Sequence, residues 1–95
     1  MLLDKMVKIG DIVTLKLISG EELIARFDEE TSEHIKVTKP LALVAGRQLG
    51  MIPWVFLAES DSVRIVKSAI IAGPMISKKD AAQQYLEGTT GIAIS

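Results

Sequence analysis

The chain has 95 residues, enough for one domain around one core. Its 48% apolar content excludes a disordered chain, and its 4% aromatics leave a core built from Ile, Leu, Val and Ala. The cysteine count of 0 excludes a disulfide framework and thiolate catalysis, and 11 Lys+Arg against 12 Asp+Glu require any nucleic-acid site to be local.

At the start, Asp4, Lys5 and Lys8 interrupt any signal-peptide apolar run in "MLLDKMVKIG". No stretch approaches the ~20 apolar residues of a membrane span, so the expectation is a soluble cytoplasmic protein with no membrane partner. "DIVTLKLI" (11–18) alternates, with Val13, Leu15 and Leu17 on one face and Thr14 and Lys16 on the other, which predicts a half-buried strand. Ser19-Gly20 supplies a turn. "ELIARFDEE" (22–30) completes a hairpin with Leu23, Ala25 and Phe27 inward and Ile24, Arg26 and Asp28 outward.

After the polar "TSEH" loop, "IKVTKPLALV" (35–44) predicts a third strand with Ile35 and Val37 inward and Pro40 at a bend or edge. "MIPWVFLAE" (51–59) reads as a fourth strand, apolar on both faces: Ile52, Trp54 and Phe56 on one, Met51, Val55 and Leu57 on the other. The helix could cover its second face, or a neighbouring subunit could. "VRIV" (63–66) begins a fifth strand that resumes past Lys67-Ser68. That polar pair inside an apolar run is either an ordinary exposed turn or a corner aimed at a ligand. Ser77 then precedes a short helix over about 78–87, with Ala81/Tyr85 and Ala82/Leu86 as its apolar stripe and Gly88 as its stop. The predicted fold is all-β: one domain whose five short strands, over about 11–73, bend into a small barrel of the SH3 or OB kind, followed by a C-terminal helix.

Chemistry is sparse. His34 is the one histidine, so metal centres and catalytic triads lack their partners. "DEETSE" (28–33) lacks the ordered frame of a calcium loop. No enzyme, metal or cofactor is expected.

The hairpin "LISGEELIARF", "KPL" in the third strand, "IPW" in the fourth and the Tyr-bearing helix together resemble the Sm-like fold of the Sm/LSm/Hfq proteins. The resemblance covers residues 11–86 and is most specific to the small Sm-like proteins of tailed phages. It implies a bent SH3-type barrel that assembles into a homo-oligomeric ring of about five to seven subunits. A phage origin would place that ring in the host cytoplasm.

In such rings the fourth strand pairs with the fifth strand of the next subunit, which implicates Met51, Trp54, Val55, Leu57, Val63 and Ile65 in the subunit interface. Single-stranded RNA meets the turn between the last two strands, where the bacterial Hfq branch has Lys-His before Ala-Ile. Here that turn reads Lys67-Ser68-Ala69-Ile70, and Lys67, Ser68 and His34 are the implied RNA-binding residues. The family's Asp-x-aromatic-Met-Asn signature is replaced by "TSEHIKV", and Glu29, Glu30 and Glu33 crowd the loop between the second and third strands, which RNA also meets in such rings and where each acid would oppose phosphate by like-charge repulsion. A protein-interaction or structural ring that has kept the fold without RNA is therefore the alternative expectation.

Overall fold

A computed structural model describes residues 6–89. The hairpin forms as its alternation predicts: β1 (Ile12–Leu17) and β2 (Glu22–Glu30) pair antiparallel with Leu15 opposite Leu23 and Val13 opposite Ala25. Gly20, at φ 101°, closes the turn in a conformation that glycine adopts without a Cβ clash. β3 (His34–Val44) lies against the other edge of β2. Two register shifts bend this pairing, one of them where Lys39 takes φ 50° beside Pro40. The bend expected at Pro40 is thus a β-bulge.

The described residues form six strands, not five. "MIPWVFLAE" is strand only in β4 (Gly50–Pro53), after which Trp54–Asp61 leaves the sheet. β5 (Ser62–Val66) then returns to the same strand. β4 pairs with Leu41–Val44 and β5 with His34–Thr38, so the two run in succession along one edge of β3. The run past Lys67-Ser68 is likewise not one strand. A 3-10 turn (Lys67–Ala69) separates β5 from β6 (Ile70–Ile76), and β6 pairs with β1. The sheet order is β4-β3-β2-β1-β6, with β5 beside β4 on β3. Among the described residues, β4, β5 and β6 each pair along one edge only.

Val13, Leu15, Leu17, Leu23, Ala25, Phe27, Ile35, Val37 and Ile65 form the buried core, as alternation requires. Gly73, at φ 102°, lets β6 approach β1: a Cβ there would lie 2.6 Å from the Thr14 carbonyl oxygen. On the opposite face of the sheet, α1 (Lys79–Thr89) packs on β2. Ile24, expected outward, points that way and is buried on that helix-bearing face. The helix continues through Gly88 rather than stopping there. Tyr85 is its buried residue, and its hydroxyl donates to the carbonyl oxygens of Thr38 (2.9 Å) and Lys39 (3.0 Å). The helix therefore locks directly onto the bulge. No helix among the described residues is long and apolar enough to cross a membrane.

Candidate functional site

One end of the sheet gathers the polar residues that the apolar strands could not absorb. The 3-10 turn sits there because Val66 and Ile70 on either side keep extended backbone while Lys67, Ser68 and Ala69 curl between them. Two backbone bonds fix the turn. The Lys67 N–H donates to the Glu33 carbonyl (2.8 Å), and the Ile18 N–H donates to the Ala69 carbonyl (2.8 Å). The first ties the turn to the β2–β3 loop and the second to the β1–β2 hairpin.

Thr31 shapes the β2–β3 loop. Its Oγ1 accepts from the Glu33 N–H (3.2 Å) and the His34 N–H (3.1 Å), a hydroxyl-closed turn. His34 thereby starts β3 opposite Val66, one residue before Lys67. The structure thus brings Lys67, Ser68 and His34, expected from sequence to act together, to one corner. Ser68 is exposed, and His34 is half-buried.

Lys67 Nζ lies 2.7 Å from Glu30 Oε2, so one of the loop acids expected to oppose phosphate is its ion-pair partner. With side chains 36% and 49% exposed, the pair is partly solvated, and such bridges contribute only about 0–1 kcal/mol. A competing anion has little to overcome in taking the ammonium.

Two cations at this corner are not evident from the sequence. Lys36 and Arg64 are direct partners across β3 and β5, on the face that also carries His34 and opposite Ile35, Val37 and Ile65. Direct antiparallel partners place their Cβ atoms about 4.5–5.5 Å apart. Two like charges so close raise the local potential, while Glu29, opposite Lys36 on β2, offsets part of it. Alternation alone turns both side chains outward. What sets them side by side is the β3–β5 register, a non-local fact.

The six residues implicated in a subunit interface separate into four environments. Ile65 is core, and Val63 and Trp54 pack against the core. Met51 is half-buried in β4. Val55 and Leu57 lie in the excursion after β4, Leu57 being 97% exposed. Trp54 is held by its backbone N–H to the Pro40 carbonyl (3.0 Å) and by Nε1–H to Glu21 Oε2 (3.1 Å). Its ring therefore serves this chain's own fold. No group of acidic and histidine side chains among the described residues could hold a metal ion. The chain matches no protein-family model, and no curated protein matches it.

Proposed function

We propose that this chain is a ring-forming Sm-like protein that binds single-stranded RNA at the corner formed by Lys67, Ser68 and His34, with Lys36 and Arg64 extending the contact surface. Counting β4 and β5 as one interrupted strand returns the five-strand order that the sequence resemblance implies. The free edges of β4, β5 and β6 support closure by strand pairing between copies, since an unpaired edge is a template for another chain. Exposed Ile52, Val66 and Ile71 on those strands support it further.

The observation that carries the RNA reading is the register placing Lys36 beside Arg64 on the face of His34, whose partner Val66 directly precedes Lys67. A cyclic assembly multiplies each cation by the subunit number, so a slightly acidic chain can still present a locally positive rim. Lys67 would hold phosphate, Ser68 a base edge, and His34 would stack on a base.

The Lys67–Glu30 pair favours a second reading, a protein-interaction ring in which the cations are already satisfied. Titration of labelled oligo-U at several salt concentrations separates the two. The RNA reading expects Lys67→Ala and the Lys36→Ala/Arg64→Ala double variant each to weaken binding at least about tenfold and to flatten the salt dependence. A duplex of equal length should not compete. Parent-like binding by both variants leaves the protein-interaction ring.

A further inference from the structure

Thr31 lies between the two acids that hold Lys67. Glu30, the residue before it, takes the Lys67 ammonium at 2.7 Å, and the carbonyl of Glu33, after it, takes the Lys67 backbone N–H at 2.8 Å. One loop therefore grips Lys67 at both its backbone and its side chain. The spacing between the two grips depends on how tightly residues 31–34 are folded.

A single side chain closes that fold. Thr31 Oγ1 accepts from the Glu33 N–H (3.2 Å) and the His34 N–H (3.1 Å), and it donates to the His34 carbonyl at 3.3 Å. The Thr31 N–H donates to the same carbonyl at 2.9 Å. Ser32 and Glu33 are exposed, so packing does little to hold them, whereas Thr31 is half-buried. A hydroxyl bonded to nearby backbone can fix such a segment where no ladder does. The other bond on the turn, from the Ile18 N–H to the Ala69 carbonyl, comes from the β1–β2 hairpin and involves no part of this loop.

We propose that Thr31 is the positioning residue of the Lys67 corner. Its hydroxyl fixes the Glu33 carbonyl at the Lys67 N–H and the backbone of His34 beside it. The ammonium can then pass from Glu30 to a phosphate while the turn stays in place, and binding avoids the cost of ordering the loop. The effect on RNA rests on the single-stranded RNA reading of this corner; the hold on the Lys67 backbone does not.

Amide hydrogen exchange on the full chain tests the hold. Thr31→Val keeps the branched shape and removes the hydroxyl, so the Lys67 amide should exchange about tenfold faster while the Ile18 amide stays near its parent rate, because opening is local. Thr31→Ser, which keeps the hydroxyl, should restore slow exchange at Lys67. A parent rate at Lys67 in Thr31→Val overturns the proposal. Equal acceleration at Ile18, or no rescue by serine, overturns it as well, since either would make the side chain a general support of the fold.

Titration with labelled oligo-U then separates position from charge. Thr31→Val should weaken binding about fivefold with an unchanged salt slope, because no cation is lost, and Thr31→Ser should bind as the parent does. Parent-like affinity in Thr31→Val despite faster Lys67 exchange removes the role in binding. If the parent itself binds no oligo-U, the RNA reading falls, and the amide rates alone decide whether Thr31 holds the turn.

Discussion

Tyr85 ties α1 to β3 through one hydroxyl. It is 2% exposed, and it donates to two successive carbonyls at the bulge where β3 bends. Burial pushes its phenol up from 10.0 to about 12, opposed in part by Arg26. The folded state therefore keeps a proton that the unfolded chain releases above pH 10. Its contribution should be fully present below pH 10 and lost as the pH rises through 12. As the chain has a single tyrosine, near-ultraviolet absorbance follows this ionisation directly, and it should coincide with loss of circular dichroism. Titration near pH 10 with the fold intact would contradict it. Tyr85→Phe should cost about 1–3 kcal/mol in denaturant unfolding, because the carbonyls lose a buried donor. Lys67 contrasts with it: a partly solvated ion pair at the surface leaves that side chain available to a competing anion.

At the scale of the element, the excursion after β4 is the clearest departure from expectation. "MIPWVFLAE" has β-branched and aromatic residues without polar alternation, a pattern that fits a strand buried on both faces. The free edge of β3 is shared, however. β4 occupies it over Leu41–Val44, β5 over His34–Thr38, and the bulge at Lys39-Pro40 lies between them. Trp54 reaches the Pro40 carbonyl, and the chain then leaves the sheet. Nothing local in residues 54–58 announces this. Trp54 is accordingly half-buried, and Trp54→Ala should cost about 2 kcal/mol, roughly half the 3–5 kcal/mol of a fully buried aromatic. Urea unfolding measures it, and a loss above about 3 kcal/mol would mean that the ring supports more of the core than its contacts indicate. Conversely, the β1–β2 hairpin and the helix that buries Tyr85 were legible, because alternation, a glycine turn and four-residue spacing are local signals, although Leu86 of the same expected stripe is exposed. Gly88 misled for the same reason: its cost inside a helix is only about 1 kcal/mol, which packing of Tyr85 outweighs.

For the whole molecule, the core was legible from alternation, whereas the cation pair Lys36–Arg64 was not, since register across a non-local strand pair has no signature in either strand alone. The same limit applies to assembly. Ile71 on β6 is 63% exposed, and Val66 on β5 is 56% exposed, each on a strand with one unpaired edge. The ring reading expects light scattering to give a mass of about five to seven chains for the parent. Ile71→Glu should reduce that mass towards one chain with little change in the unfolding midpoint of the subunit, because the substituted side chain is already outside the core. A parent that stays monomeric at every concentration would remove the ring, and with it the multiplication of charge on which the proposed RNA binding rests.

The split of the fourth strand has a consequence for how such a chain can change over time. β4 and β5 are both held by β3, so neither depends on the other for its place in the sheet. The link between them is then a connection whose length is nearly free: by loop-closure entropy, doubling it costs only about 0.6 kcal/mol. Insertions after Leu57 would grow outward from a 97% exposed residue of the excursion without shifting the register that sets Lys36 against Arg64. New binding surface could be added at that point while the corner beside Lys67 stays as it is.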